Sequence, residues 1–376
     1  MKLAIVHCRI ASWWALNVLK DLIKEELKTH PKISSKKIFT MYSEVKTIEI
    51  EGKDIEIITA LPKRINNLFI TCTSKNIPGI SRIFDYRNLM FFYPILMKRL
   101  SWKIKSYQPN YILVSSFAIA KNIDQCKTNT KSKNPAHISL YLHSPMQYIR
   151  SHYDEYTHKL KGFKGRLFKS ITPILRKRDL KYTQYDKIYA NSQYTAQEAK
   201  KLYHIKSTVK YPKIKSEFLN EPIDNQSSEY YVCVGRLVRF VREVDTIIKL
   251  FNQTRKNLLI IGSWPDEVYL KSISGDTIMF LGQMESTKEL ISIVKKSRWL
   301  INITKESFGI GTAEALCLGV PVFGFNDGAT PELVDHNSGI LADNKTIHHL
   351  REKFELFEDT YRDKQLIAET ARKKFQ

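Results

Sequence analysis

The feature of the sequence that most constrains the fold is a repeated alternation of short apolar runs with helix-like segments. Lys2–His7 and Tyr111–Ser115 have the composition of buried strands, and apolar residues follow at helical spacing over Trp14–Leu27. Further strand candidates are His137–His143, Tyr185–Asn191, Tyr230–Val234, Leu258–Ile261, Thr277–Phe280, Trp299–Ile303 and Pro321–Phe325. Alternating βα units predict mostly parallel, doubly wound sheets, so we expect an α/β chain with two Rossmann-like domains.

The two series of strands are separated by a stretch in which the pattern lapses into Pro, Lys, Glu, Asn and Ser. We therefore expect an N-terminal domain over residues 1–213, a linker over 214–228 and a C-terminal domain over 229–376. Doubly wound domains bind ligands at the carboxyl ends of their strands, so the cleft between the two domains is the expected ligand site.

The excess positive charge lies entirely in the first half of the chain. Residues 1–215 hold 40 Lys and Arg against 15 Asp and Glu, whereas residues 216–376 hold 20 against 23. Such asymmetry indicates an electrostatic role for one domain towards an anionic membrane surface, a phosphorylated acceptor or nucleic acid. The alternative is a Lys-rich solvated surface without a partner.

The cysteines and the apolar runs indicate the compartment. The five cysteines are scattered and form no CxxC pair, which predicts reduced thiols with neither a disulfide framework nor a zinc site. No apolar run reaches the roughly 18 to 20 residues that a membrane span needs. Cys8 and Arg9 follow the first apolar run at once, which indicates a strand and its loop rather than a signal peptide. We expect a cytoplasmic protein.

The segment from Glu306 to Glu314 is the most informative for chemistry. A strand candidate ends before it, Glu306 lies in the loop, and a helix is expected to start near Gly309–Thr312. Small residues let the backbone approach a ligand, and the first-turn N–H groups of a helix attract anions. Two carboxylates beside such amides suit a nucleotide sugar, although an ordinary strand–loop–helix with surface glutamates has the same local pattern.

Ordered motifs around this segment resemble those of family 4 glycosyltransferases, which have the GT-B fold and retain the anomeric configuration. Glu306 and Glu314, with seven residues between them, are followed by Ala-Leu-x-x-Gly-x-Pro-Val as in that family. The other matching C-terminal motifs are Gly235-Arg236-Leu237-Val238, Ile260–Pro265, Phe280-Leu281-Gly282, Gly328–Val334 and Gly339-Ile340-Leu341. The resemblance thus implies a GT-B fold with two Rossmann-like domains.

The first half extends the resemblance towards bacterial mannosyltransferases that build O-antigen and related surface polysaccharides. Its matching stretches are His143–Tyr148, Asp154–Tyr156, Asn191–Ala196 and Ser207–Pro212. The resemblance therefore implies transfer of a hexose, mannose first, from GDP-mannose or another nucleotide sugar to a glycan or polyprenyl-linked glycan. Many relatives continue into a C-terminal helix that crosses back to the first domain, and we expect that helix to be short or absent here.

The resemblance also implies a role for each matching residue. Arg236 would neutralise the donor diphosphate, since a guanidinium matches paired phosphate oxygens, and Glu314 would bind the ribose. Glu306 and the amides of Phe308, Gly309 and Ile310 would hold the donor sugar. His143 would reach the transferred sugar from the other domain. The alternative for His143 is a hydrogen-bonded core histidine.

Catalysis is expected to need no metal and no cofactor. In front-face transfer the departing phosphate accepts the proton of the acceptor, so Glu306 and His143 would act by positioning and electrostatics. No Asp-x-Asp triplet occurs in the chain, which argues against a metal-dependent GT-A enzyme.

Two positions depart from the family pattern. Trp13 and Trp14 stand where relatives have glycines, and we expect them either to form a platform for the acceptor or to pack in the core. Val241 stands where relatives have a phosphate-binding lysine, so Arg242, or alternatively Arg239, is the expected second cation.

A basic stretch in the first half fits attachment to an anionic membrane surface. The membrane-facing candidates are Lys161, Lys164, Arg166 and Lys169, with Phe163 and Phe168 among them. The alternative is a solvated helix face. We expect no nucleic-acid partner, because a nucleic-acid module would not explain the ordered motifs of the second half. A GT-B nucleotide-sugar epimerase and a degenerate scaffold are the competing functions.

Overall fold

A computed structural model describes most of the chain. The described residues are 1–10, 14–74, 89, 92–123, 136–150, 153–160, 162–181, 184–224, 226, 228–238, 242–263, 266–358, 360 and 362–375. They divide into two compact units, the first of Met1–Asn191 with Thr195–Lys210 and the second of Ser192–Tyr194 with Tyr211–Gln376.

The first unit contains an eight-stranded sheet in which only β3 runs antiparallel to its neighbour. Its strands are β1 (Lys2–Ile10), β2 (Ser35–Ser43), β3 (Thr47–Ile50), β4 (Lys53–Thr59), β5 (Tyr111–Ser116), β6 (His137–Leu142), β7 (Lys187–Ala190) and β8 (Thr208–Val209). The order β3-β4-β2-β1-β5-β6-β7-β8 reverses direction between β1 and β5. Such a reversal opens a crevice at the carboxyl ends of the two strands.

The helices of this part of the chain cover the sheet. They are α1 (Trp14–Thr29), α2 (Lys63–Ser74), α3 (Tyr93–Tyr107), α4 (Tyr153–Lys159), α5 (Gly162–Lys181) and α6 (Gln193–Tyr203). Two short 3-10 turns, Ala120–Asn122 and Gln147–Ile149, follow β5 and β6. The apolar side of α3 packs against the sheet, with Leu96, Leu100 and Ile104 buried.

The first strand is longer than predicted. Cys8 and Arg9, expected in a loop, belong to β1, which ends at Ile10. The pairing with β2 continues through Arg9 and Ile10, and the side chains of Cys8 and Ile10 are buried. The polar residues that suggested a loop are therefore accommodated by the sheet, with Arg9 paired to Glu44.

The second unit contains a six-stranded, wholly parallel sheet. Its strands are β9 (Tyr230–Val234), β10 (Asn257–Ile261), β11 (Ile278–Gly282), β12 (Leu300–Asn302), β13 (Val322–Phe325) and β14 (Gly339–Ala342). The order β11-β10-β9-β12-β13-β14 is the Rossmann order 3-2-1-4-5-6, so the sheet reverses between β9 and β12. The fold class predicted from the sequence is confirmed.

The helices of the second unit alternate with its strands. They are α7 (Ser216–Leu219), α8 (Val244–Thr254), α9 (Glu267–Ser272), α10 (Thr287–Val294), α11 (Ile310–Cys317), α12 (Thr330–Leu333), α13 (Ile347–Glu358) and α14 (Lys364–Phe375). Within the expected linker, Ile214 and Phe218 are buried in the core of this unit, packed with α11 and α14.

A buried ion pair ties α5 to the turn after β5. Lys121 and Asp179 are almost fully buried, and Lys121 Nζ lies 2.9 Å from Asp179 Oδ1. The Tyr203 hydroxyl donates a 2.8 Å hydrogen bond to Asp179 Oδ2, and Arg150 lies 3.5 Å from the same oxygen. The ammonium of Lys121 also sits 4.1 Å from the Tyr203 ring centre. Every charge in this cluster thus has a partner within the core.

We expect Asp179→Ala to lower the free energy of unfolding by about 3–5 kcal/mol, because Lys121 would remain buried without its counter-ion. Denaturant unfolding of the wild type and the variant measures the loss. The double variant Lys121→Met/Asp179→Leu removes both charges and should recover most of it. A double variant as unstable as Asp179→Ala would show that the charges themselves are not the cause.

Candidate functional site

Two glycines let the first two loops of the second unit approach each other at the edge where its strands end. Gly262, which follows β10, has φ +144°, and a Cβ there would lie 1.8 Å from the carbonyl oxygen of Gly235. Only glycine fits such an approach. The loop that carries Arg236 is therefore held against the end of β10, beside the reversal of the sheet.

The loop that carries Glu306 is anchored on the other side of the reversal. The Glu306 carbonyl oxygen accepts a 2.9 Å hydrogen bond from the Ala329 N–H, after β13. Gly328 has φ +69°, and a Cβ there would lie 2.4 Å from the Glu306 carbonyl oxygen. The backbone of Glu306 is thus fixed by the neighbouring loop.

The Glu306 side chain forms an ion pair with Arg242. Burial, and then the nearby positive charge of Arg236, lower the pKa of Arg242 to about 10. Arg236 itself is exposed. The structure therefore brings Arg236 and Arg242 together near the reversal point, with the Glu306 carboxylate paired to Arg242.

Helix α11 starts directly after this loop. Gly309 is its N-cap residue and has φ +91°, a left-handed conformation that favours glycine. The N–H groups of a first helical turn have no intrahelical acceptor, so those of Ile310, Gly311 and Thr312 are available to an anion. The Phe308 side chain is buried, with its ring 5.7 Å from that of Tyr211 and 5.8 Å from that of Phe375. Phe308 therefore orients the loop through its packing.

Glu314 lies one turn into α11 and is buried, with 6% of its surface exposed. Burial raises the pKa of its carboxyl group to about 8, an effect that the charge of Lys215 partly offsets. Among the described residues, none forms a hydrogen bond with this carboxyl group. A buried carboxyl group without a protein partner is suited to receive the hydroxyl groups of a ligand.

In the first unit, His143 lies at the carboxyl end of β6 as the last member of a chain of three polar side chains. Its Nε2 is 2.8 Å from the hydroxyl of Ser115, which in turn is 3.0 Å from Nδ1 of the buried His7. Burial, and secondarily His7, lower the pKa of His143 to about 3, so its imidazole is neutral at physiological pH. It is thus hydrogen-bonded, as the core alternative required, yet it lies at the strand-end edge where ligands bind.

Several predicted residues lie outside the described part of the chain. These are Trp13, Lys161, Arg239, Phe240, Val241, Trp264 and Pro265; Trp14 opens α1, but its side chain is not described. Lys164, Arg166 and Lys169 are exposed on α5. Over the described ranges, no group of three or more His, Cys, Asp or Glu side chains is placed to hold a metal, and no helix is long and apolar enough to cross a membrane.

Comparison with known proteins finds a family match over the second half of the chain. Residues 215–374 match the family described as glycosyl transferases group 1. The similarity to that family covers less than half of the chain. The match begins at Lys215 and includes all six strands of the second unit. It also includes Arg236, Arg242 and the Glu306–Glu314 segment described above.

Individual relatives agree with this assignment. N-acetyl-alpha-D-glucosaminyl L-malate synthase of Bacillus anthracis is 29% identical over 115 residues, which cover 29% of this chain and 30% of that protein. The chain therefore spans less than a third of this curated relative.

Solved structures resemble nearly the whole chain. The lipopolysaccharide outer core galactosyltransferase WaaB has a TM-score of 0.59 and 14% identity, over 100% of this chain and 95% of its own. HepE of Anabaena, solved in complex with UDP, has a TM-score of 0.63 and 15% identity, over 100% and 96%. At such identities the likeness concerns the fold, which is GT-B.

Three residues near these sites were not found from the sequence. Lys215 is the cation that acts on Glu314 in the second unit, and His7 and Ser115 accompany His143. His7 and Ser115 each stand near the carboxyl end of a predicted strand, and that position was the signal that could have revealed them.

Glu314 should make the stability of the second unit depend on pH. The folded protein keeps this proton up to about pH 8, whereas an unfolded glutamate loses it near pH 4.5, so the free energy of unfolding falls as pH rises through this window. Glu314→Gln removes the effect. We expect the variant to be increasingly more stable than the wild type from pH 5 to pH 8, by up to roughly 4 kcal/mol.

Denaturant unfolding at pH 5, 6.5 and 8 checks this dependence. Glu285→Gln is the matched control, because Glu285 is an exposed carboxylate of the same unit. A stability difference between Glu314→Gln and the wild type that is constant with pH would contradict the burial of a neutral Glu314.

Proposed function

We propose that the protein is a retaining glycosyltransferase that moves a hexose, with mannose as the first candidate, from a nucleotide sugar to a glycan or lipid-linked glycan acceptor. The observation that carries the proposal is the grouping of Arg236, Arg242 and Glu306 at the sheet reversal, next to the buried Glu314. Two cations, helix-start amides and two carboxylates correspond to the diphosphate, sugar and ribose of such a donor.

The Arg242–Glu306 ion pair suggests how the donor would be accepted. Without ligand, the two side chains neutralise each other in a partly buried place. A diphosphate gives Arg242 a second anion, with Arg236 beside it, and the paired oxygens suit guanidinium geometry. Glu306 is then released to accept hydrogen bonds from hydroxyl groups of the donor sugar. Donor binding thus replaces an internal ion pair with two ligand contacts.

Glu314 would bind the other end of the donor. A ribose offers two adjacent hydroxyl groups, and a carboxylate accepts a hydrogen bond from each. Hydrogen bonds to the charged form lower the pKa of a carboxyl group, so a bound ribose favours the ionised Glu314 that burial disfavours in the free protein.

The donor base and sugar remain part of the proposal. The resemblance of the first half favours GDP-mannose, whereas the solved HepE complex contains UDP and WaaB is named a galactosyltransferase. UDP-hexoses are therefore the second candidates. Transfer without a metal ion and a cytoplasmic location belong to the same proposal, and turnover that persists in excess EDTA would support the former.

Calorimetric titration with GDP-mannose, UDP-glucose, UDP-galactose and ADP-glucose tests donor binding. We expect one nucleotide series to bind, Glu314→Ala to weaken that binding at least tenfold, and Glu306→Ala mainly to lower turnover. The loss of binding free energy expected for Glu314→Ala corresponds to about one hydrogen bond to a charged group.

Glu352→Ala, an exposed glutamate of the same unit, serves as the control and should bind like the wild type. Failure of every nucleotide sugar to bind the folded protein would refute the transferase and favour a scaffold. Conversion of the donor to its epimer, with no transfer or hydrolysis, would favour an epimerase.

A membrane-borne acceptor is supported by two exposed helix faces of the first unit. Helix α3 and the residue before it expose Phe92, Ile95 and Trp102 to 57%, 69% and 67%, and the exposed Lys98 and Arg99 lie on the same face. Helix spacing places all five within one exposed stripe. Apolar side chains flanked by cations are typical of helices that lie in the interface of an anionic bilayer.

Helix α5 carries the second face, with the predicted residues Lys164, Arg166 and Lys169 exposed beside Leu167 and Ile174. A row of ring contacts connects the two helices, from Tyr93 through Tyr148 and Tyr156 to Phe168, at centre distances of 6.2, 6.2 and 6.3 Å. The helices α3 and α5 are therefore linked by one row of aromatic rings.

We expect the protein to sediment with vesicles that contain an anionic lipid, and to lose this binding at high salt. Vesicle binding should be weakened in the double variant Ile95→Ser/Trp102→Ser. It should also be weakened in the triple variant Lys164→Gln/Arg166→Gln/Lys169→Gln, by about 1 kcal/mol per cation near the surface. Val268→Ser/Leu356→Ser, which changes exposed apolar residues of the second unit, is the control. Equal binding to neutral vesicles, or no effect of either variant, would exclude these helices as the membrane surface.

A further inference from the structure

The chain His7–Ser115–His143 crosses three adjacent strands of the first unit at their carboxyl ends. His7 and Ser115 are direct register partners on β1 and β5, and Ser115 pairs with Tyr141, two residues before His143, on β6. This is the reversal point of the first sheet. The three polar side chains therefore stand at the place where a doubly wound domain binds ligands.

The hydrogen bonds of His7 determine its tautomer. Its Nδ1 lies 3.2 Å from the carbonyl oxygen of Ser115 and 3.0 Å from the Ser115 hydroxyl oxygen. A carbonyl oxygen only accepts, so Nδ1 of His7 must carry the hydrogen and donate it. His7 Nε2 has no hydrogen-bond partner and is therefore a bare acceptor within the core.

The single hydrogen of the Ser115 hydroxyl then has one remaining destination. Because this oxygen receives a hydrogen bond from His7, its own hydrogen is directed to Nε2 of His143, 2.8 Å away. Nε2 of His143 is thus an acceptor, and a neutral imidazole with that arrangement carries its hydrogen on Nδ1. The Ser115 hydroxyl therefore makes the tautomer of His143 depend on that of His7.

The surroundings of His143 support a neutral ring with one free donor. Tyr141 and Phe117 pack edge-on at ring-centre distances of 4.9 and 6.4 Å, and the burial they provide lowers the pKa of His143 to about 3. No residue in the described part of the chain is hydrogen-bonded to Nδ1 of His143, and the side chain is partly exposed.

We propose that His7 and Ser115 are positioning residues that hold His143 in the Nδ1–H tautomer, so that it donates a hydrogen bond to an acceptor oxygen of the ligand. The ligand supplies a sugar or phosphate oxygen, a part of the inference that rests on the function proposed above. His143 in this state is neither a general base towards the ligand through Nδ1 nor a cation.

The test is the tautomer of His143, observed by long-range ¹H–¹⁵N correlation on protein with ¹⁵N-labelled histidine. His143→Gln assigns the signals by their disappearance. The wild type should show a protonated Nδ1 and an unprotonated Nε2, and Ser115→Ala should shift His143 towards the Nε2–H form. His7→Leu is the second variant and should move the same signals, whereas His7→Asn, whose amide nitrogen replaces Nδ1, should preserve them.

Ser139→Ala is the matched control, because Ser139 is a buried hydroxyl of β6 that has no hydrogen-bond partner. It should leave the His143 signals unchanged. A wild-type His143 with its hydrogen on Nε2 would overturn the inference, and so would signals unaffected by both Ser115→Ala and His7→Leu.

Kinetics separates this inference from the proposed function. With a donor that the wild type uses, Ser115→Ala should lower kcat/KM about tenfold, as for one net hydrogen bond, and Ser115→Thr should restore most of it. If the signals behave as expected but no nucleotide sugar is bound or turned over, the proposed function fails and the tautomer relay stands. If a donor is turned over and the signals stay unchanged, the relay fails alone.

Discussion

In a parallel sheet every strand delivers its carboxyl end to the same edge, and the sites of this protein depend on that constraint. In the second unit it joins Arg236 after β9, Glu306 after β12 and Gly328 after β13, although they are far apart in the chain. In the first unit it aligns His7, Ser115 and His143 across β1, β5 and β6. The reversal of strand order opens a crevice at each of these places.

Desolvation decides the protonation states at that edge. Glu314 is buried and His143 is partly buried, and this desolvation favours the neutral form of both, with pKa values of about 8 and about 3. Arg242, whose pKa burial lowers to about 10, remains charged and pairs with Glu306. The free protein therefore holds few uncompensated charges at its candidate sites, and a charged donor would change the state of several groups at once.

Burial of charge also connects the core of the first unit to its surface. The Lys121–Asp179 pair joins α5, which also carries the exposed Lys164, Arg166 and Lys169, to the turn after β5. A buried pair of this kind contributes little net stability but penalises any arrangement that separates its members. It therefore disfavours displacement of α5 from that turn.

The sequence by itself determined the fold class and singled out Glu306–Glu314 as the candidate donor segment. Central strands such as β9 and β10 are continuous apolar runs, and motifs such as Glu306–Glu314 are local, so both are readable along the chain. The edge strand β3 and its neighbour β4 went unpredicted because their exposed positions carry polar and charged residues. Only the tertiary structure decided that Arg242 pairs with Glu306, that Glu314 is buried without a partner, and that His7 and Ser115 accompany His143. The physical reason is that hydrogen bonds across 108 and 28 residues, and the desolvation that sets a pKa, depend on neighbours in space.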